Sequence, residues 1–161
     1  MSTSTGDDRL VEVRLLGLPM SLYQRTRDHG ADLMREFELL QLSDHAAHDV
    51  PGRLVALAAE LMDQFGAFTA AADAELADAE ARGERRIDLV YRIPPAAGEG
   101  ARRLEGLLDE ADDYCRAGQE LLTLAAGPET AAFRHWFLRE FVAQIDGRPP
   151  TRWSDYREGG A

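Results

Sequence analysis

Four acidic residues crowd into little more than one helical turn of this chain: Asp109, Glu110, Asp112 and Asp113. Because residues three or four apart share a helix face, Asp109 lies beside both Asp112 and Asp113. Neighbouring carboxylates shift one another's pKa for acid–base work, and they also bind Mg²⁺. The same pattern is typical of a solvated acidic face or of a surface that docks a partner's arginines. We predict docking rather than catalysis for this cluster.

A second cluster combines imidazoles with carboxylates in the polar stretch 43–50, which contains Asp44, His45, His48 and Asp49. Histidine and aspartate are common zinc ligands, so these four residues form a candidate metal site. Their spacing matches no closed zinc motif, and surface loops collect polar residues for other reasons. We therefore predict no bound metal and no cofactor. The alternative is a metal site formed by these four residues.

Three residues on apolar helix stripes, His29, Tyr114 and Cys115, define a candidate small-molecule pocket between the helices. The alternative for His29 is a partly buried, hydrogen-bonded core histidine. For Cys115 it is a buried structural thiol, since nothing near it in sequence lowers its pKa.

The segment 133–141 carries an aromatic stripe flanked by arginines. Arginine and tryptophan dominate the energetics of protein interfaces, although aromatic residues at helical spacing more often pack in a core. We include Arg134, Trp136 and Arg139 with the acidic cluster in a predicted partner-binding surface.

Composition excludes several kinds of chemistry. All 18 positively charged side chains are arginine, and without lysine the chain forms neither a P-loop nor a Schiff base. The nucleophile-elbow, zinc-protease and dinucleotide-binding motifs do not occur. The net charge of −11 opposes nucleic-acid binding, and no apolar run approaches the roughly 20 residues of a membrane span. A single cysteine fits a reducing compartment. We predict a non-enzymatic cytoplasmic protein that binds neither nucleic acid nor membrane.

The elements that must position these residues occur twice. Alternating apolar residues predict strands over 10–18 and 86–93, and two amphipathic helices follow each strand. Ile87 follows Val11 by 76 residues, and Pro128 follows Pro51 by 77. We therefore predict a mainly α (α+β) fold of four amphipathic helices and a small two-stranded sheet. We predict a single domain over residues 10–153. Its two halves, 10–83 and 86–147, are either pseudo-repeats or similar by chance. Residues 1–9 and 154–161 are expected to be loose tails.

A two-stranded ribbon leaves both of its edges exposed. Either the helices cover these edges or another chain pairs with them. The second case predicts a homodimer or a docked partner.

Two segments, Leu15–Leu40 (LLGLPMSLYQRTRDHGADLMREFELL) and Leu107–Trp153 (LLDEADDYCRAGQELL and onward), resemble a poorly characterised actinobacterial family. That family occurs near anti-sigma-factor ATPases, STAS-domain antagonists and their phosphatases. The resemblance implies a place in partner-switching signalling, with an anti-sigma or STAS regulator as partner. It implies no catalytic motif. We therefore predict a regulatory protein that acts by docking. The alternative is a small-molecule or metal-binding sensor with a pocket between its helices.

Overall fold

The computed structural model describes residues 9–42, 49–117 and 125–159. The described chain is mainly helical with a two-stranded antiparallel sheet, which confirms the predicted fold class. It contains five helices rather than four, because a short helix follows the predicted ones. The elements are β1 (Val11–Pro19), α1 (Met20–Leu42), α2 (Asp49–Ala81), β2 (Arg86–Ile93), α3 (Ala97–Ala117), α4 (Pro128–Ile145) and α5 (Trp153–Gly159).

The two strands pair along most of their length, from Val11 opposite Ile93 to Leu15 opposite Leu89. A bulge then interrupts the ladder between Leu15 and Leu18. The alternation that predicted the strands is present in both, with apolar side chains buried on one face and charged side chains exposed on the other. The helices pack on the apolar face, so the sheet forms one wall of the core.

A side chain of α4 bonds to the outer edge of β1. Gln144 accepts a hydrogen bond from the N–H of Arg14 and donates one to its carbonyl, both at 2.8 Å. This amide group therefore reproduces one rung of strand pairing. Its second hydrogen goes to the carboxylate of Glu140, 2.8 Å away. At this position a helix, rather than a third strand, satisfies the sheet edge.

The second helix of each half ends in the same way. Gly83 and Gly147 adopt positive φ angles of 68° and 90°, a conformation that costs glycine little because it has no Cβ. In both cases the next residue donates a backbone hydrogen bond to the carbonyl five positions earlier. This Schellman arrangement satisfies the last carbonyls and turns the chain out of the helix.

The order strand–helix–helix is repeated, as the predicted duplication requires, and the second helix of each half packs against the strand of the other half. In the described residues the second helices differ in length, with 33 residues in α2 against 18 in α4.

The interior contains two apolar clusters. The larger joins the inner face of the sheet to α4, the C-terminal half of α2 and Trp153. The smaller lies between α1, the N-terminal half of α2 and α3, around Leu33 and Phe37. The candidate site described below lies where α1, α3 and α4 meet, between these clusters.

The expectation of a loose tail over 154–161 is wrong for residues 154–159, which belong to α5. Trp153 is buried, with ring centroids 5.7 Å from Phe133 and 5.4 Å from Trp136. Tyr156 stacks on Trp153 at 5.8 Å. These aromatic contacts stabilise a helix too short to be stable alone. Residues 160–161 lie outside the described chain.

Candidate functional site

A cavity of about 300 Å³ lies between α1, α3 and α4. This volume is at the lower end of the range of small-molecule sites, roughly 300–1,000 Å³. Six apolar side chains form most of its walls: Leu33, Leu104, Leu108, Phe133, Phe137 and Leu138. Polar residues and one glycine complete the lining: Tyr23, Thr26, Arg27, His29, Gly30, Thr130 and Arg134.

Helical spacing explains why these residues converge. Thr26 and Leu33 are seven positions apart and lie on the same face of α1. Leu104 and Leu108 are four apart on α3, as Phe133 and Phe137 are on α4. Each helix thus turns one apolar stripe toward the other two, and the volume that the stripes leave unfilled is the cavity.

Two buried polar atoms beside this cavity have no hydrogen-bond partner: the hydroxyl oxygen Oγ1 of Thr26 and the Nε of Arg134. They are the only such side-chain atoms in the described part of the chain. Leaving a buried donor or acceptor unbonded costs about 1–3 kcal/mol. Both residues line the same apolar cavity, one from α1 and the other from α4.

The other side of the Arg134 guanidinium is held by α3. Its Nη2 donates to carboxylate oxygens of Asp109 and Asp112, both at 2.8 Å. Arg134 and Asp112 are 7% and 4% exposed, so this is a buried ion pair. The second oxygen of Asp112 accepts a hydrogen bond from the N–H of Ala126 at 3.1 Å. Asp112 therefore connects α3 to α4 through Arg134, and to the segment that precedes α4 through Ala126.

Asp109 is half-exposed at the rim of this ion pair. Its carboxylate lies 2.8 Å from Nε2 of His135 as well as from Arg134. Partial burial acts to raise the pKa of Asp109, but the hydrogen bonds and charges of His135 and Arg134 outweigh it and hold the pKa below its ordinary value. The carboxylate is therefore ionised at neutral pH.

The predicted partner-binding surface is not a continuous surface. Arg134, Asp112 and Trp136 are buried, and the Trp136 Nε1 donates to the carbonyl of Thr151 at 2.8 Å. Buried side chains cannot reach a partner in the native fold, so the prediction is wrong for these three. The remaining members are accessible but paired within the chain: Asp109 with His135, Glu110 with Arg53, Asp113 with Arg116, and Arg139 with Glu105.

The three residues of the predicted pocket do not lie together. His29 lines the cavity, whereas Tyr114 and Cys115 belong to the apolar cluster between α1, α2 and α3. There Tyr114 packs edge-on against Phe37, with ring centroids 5.7 Å apart. Burial, with smaller contributions from Asp112 and Glu36, raises the pKa of the Cys115 thiol to about 11. The thiol is therefore protonated at neutral pH.

The predicted metal stretch falls largely outside the described chain. Asp44, His45 and His48 are not described, and α2 begins at Asp49. Among the described residues there is no group of three or more potential metal-binding side chains.

One described helical span, Val50–Ala81, is long and apolar enough by length and composition to cross a membrane, with a mean hydropathy of 1.2 over its best window. Only 17% of that window is buried. Core helices of soluble proteins and signal sequences also pass this test. The expectation of a cytoplasmic protein that binds no membrane stays a prediction.

The sequence did not indicate that Thr26 and Arg134 line a common cavity, and Arg134 was assigned to the surface. The sequence signal for such a cavity is a polar residue on the apolar face of a helix. A polar side chain buried there either finds a hydrogen-bond partner or remains unsatisfied. Comparisons with protein-family models, curated proteins and solved structures find no match to this chain.

Proposed function

We propose that this protein is a sensor domain that binds a small, mainly apolar molecule in the cavity between α1, α3 and α4. The observation that carries the proposal is the pair of unbonded buried atoms, Thr26 Oγ1 and Arg134 Nε, beside an apolar cavity. Small-molecule sites typically combine apolar walls with a few polar groups that orient the ligand. The proposal corresponds to the sensor alternative rather than to electrostatic docking.

A sensor also needs a way to report occupancy. The guanidinium beside the cavity bonds to Asp112, and Asp112 holds the N–H of Ala126 just before α4. A ligand that displaces Arg134 would therefore disturb the start of α4. We propose this chain of bonds as the output, which an anti-sigma or STAS regulator in a partner-switching pathway would read without any chemical reaction.

The test uses two uncharged probes, 2-acetylnaphthalene and 2-methylnaphthalene, followed by NMR. We expect concentration-dependent shifts of the methyl groups of Leu33 and Leu108, together with a shift of the Ala126 amide. We also expect a higher Tm in the presence of probe, because a ligand that binds only the folded state stabilises it.

Two glycines provide a matched pair of variants. Gly30 lines the cavity, and a Cβ there has no atom within 4 Å. Gly106 has equally open space but lies in α3 outside the cavity lining. Gly30→Leu and Gly106→Leu gain the same helix propensity, about 1 kcal/mol, but only Gly30→Leu fills the cavity. We expect Gly30→Leu to abolish probe binding and Gly106→Leu to preserve it. Failure of both probes to bind, or equal binding by the two variants, would contradict the proposal.

A further inference from the structure

Building on the proposed function, we infer that the bound molecule is uncharged and carries a hydrogen-bond acceptor, such as a carbonyl oxygen, on an apolar body. The chemistry of the two unbonded atoms gives the acceptor. The N–H of a guanidinium only donates, whereas a hydroxyl donates or accepts. An acceptor oxygen is therefore the one group that suits both Arg134 Nε and Thr26 Oγ1.

Charge balance excludes an anionic head group. Arg134 is already bonded to Asp109 and Asp112, so these three residues hold one positive and two negative formal charges. His135, bonded to Asp109, brings the sum to zero only when it is protonated. The other guanidinium of the lining, that of Arg27, is also paired with carboxylates. A carboxylate or phosphate ligand would add a further negative charge beside two aspartates.

A cationic head group fits no better. It would offer a donor to Arg134, which itself has only donors, so Arg134 Nε would stay unbonded. The apolar walls would also remove its hydration without a carboxylate in the lining to replace it. An uncharged ketone, ester or amide satisfies both conditions, because its oxygen accepts hydrogen bonds and its body loses little on leaving water.

The two atoms lie just beneath the cavity surface rather than on it. Each is buried, and most of the accessible lining is apolar. Rotation of the Thr26 side chain about χ1 would bring its hydroxyl to the ligand oxygen, and this rotation does not require movement of α1. Arg134 is 7% exposed, so a small displacement of its guanidinium would bring Nε into reach.

The experiment compares three probes with the same ring system: 2-acetylnaphthalene, 2-naphthoate and 2-methylnaphthalene. They present an uncharged acceptor, an anionic acceptor and no acceptor. One added hydrogen bond predicts about three- to tenfold tighter binding of the ketone than of the methyl compound. We expect 2-naphthoate to bind more weakly than the ketone. Thr26→Val removes the hydroxyl and should reduce the ketone's advantage, whereas Thr69→Val, in α2 outside the cavity lining, should leave it unchanged.

The outcomes separate this inference from the proposed function. Equal affinities of the three probes, with binding lost in Gly30→Leu, would overturn the inference and leave the binding cavity intact. Tighter binding of 2-naphthoate than of the ketone would overturn it as well. Binding of none of the probes would overturn the proposed function, and the inference with it. The expected order, with sensitivity to Thr26→Val, supports both.

Discussion

Asp112 and Asp113 are neighbours in the chain but occupy opposite environments. Asp112 is buried against Arg134, whereas the side chain of Asp113 is 80% exposed and paired with Arg116 on the same helix. Removing one partner of a buried ion pair leaves an uncompensated charge and costs about 3–5 kcal/mol. An exposed pair contributes about 0–1 kcal/mol. The two acids therefore differ in energetic role, although the sequence presents them as equivalent.

This contrast predicts the effect of two matched substitutions. We expect Asp112→Ala to lower the free energy of unfolding by about 3 kcal/mol, and Asp113→Ala to change it by less than about 0.5 kcal/mol. Urea denaturation of the two variants measures both values. Equal losses would show that Arg134 does not depend on Asp112 for its charge balance.

The unbonded hydroxyl of Thr26 predicts a stabilising substitution. Valine has nearly the same shape as threonine but no hydroxyl, so Thr26→Val removes a buried polar atom without a partner. We expect the free energy of unfolding to rise by about 1 kcal/mol. Thr69→Val is the control and should bring no such gain, because the Thr69 hydroxyl donates a hydrogen bond to the carbonyl of Gly66 at 3.0 Å. A loss of stability in Thr26→Val would mean that the hydroxyl is satisfied, by bound water for example.

Cys115 is predicted to be inert in the folded protein. The thiolate is the reactive species, and burial raises the pKa of this thiol to about 11. Its reaction with a disulfide reagent such as 5,5′-dithiobis(2-nitrobenzoate) at pH 7.5 should be at least about 100-fold slower than that of a free thiol with an ordinary pKa near 8.5. The prediction would be contradicted if Cys115 of the native protein reacted as fast as free cysteine and if unfolding in urea did not accelerate the reaction.

At the scale of elements, one amide group of α4 hydrogen-bonds to the edge of β1. Gln144→Met keeps a side chain of similar length but removes both hydrogen bonds to Arg14. We expect a loss of about 2 kcal/mol and faster hydrogen exchange of the Arg14 amide. Exchange of the Leu89 amide, within the ladder, reports global unfolding and serves as the reference. Unchanged protection of Arg14 relative to Leu89 would show that the Gln144 bond does not close the edge.

The elements themselves were largely predictable because local patterns encode them. The alternation around Val13 and Leu89 predicted both strands to within a few residues, and Pro51 and Pro128 lie in the first turns of α2 and α4. α5 was not predictable, because it depends on the packing of Trp153 against Phe133 and Trp136. Such long-range packing has no local periodic signal.

At the scale of the whole molecule, the site was much less predictable than the fold. Charge and spacing identified the Asp109–Asp113 cluster, but burial decides what its members do, and burial depends on how α3 meets α4. Arg134 and Trp136 were included in a predicted surface because arginine and tryptophan are common in interfaces, whereas the structure agrees with the core alternative for Trp136. The cavity exists only where α1, α3 and α4 leave space, so no single segment of sequence contains it.

The ion pairs of the folded molecule also predict how its stability depends on pH. The hydrogen bonds of His135 and Arg134 hold the pKa of Asp109 below its ordinary value of 3.8, despite partial burial. The unfolded chain therefore takes up this proton at a higher pH than the folded chain does. The contribution of Asp109 to stability is fully present above the unfolded pKa and is lost as pH falls through the folded pKa.

We therefore expect the free energy of unfolding to fall steeply below about pH 4. Asp109→Asn, which cannot ionise, should be less stable at pH 7 and should lose less stability over the same acid range. Urea denaturation of both proteins between pH 3 and pH 7 measures the two slopes. Because net charge changes almost identically in the two proteins, the difference between their curves isolates Asp109 from the general relief of repulsion in a chain of charge −11. Parallel curves over the whole range would show that Asp109 gains nothing from His135 and Arg134.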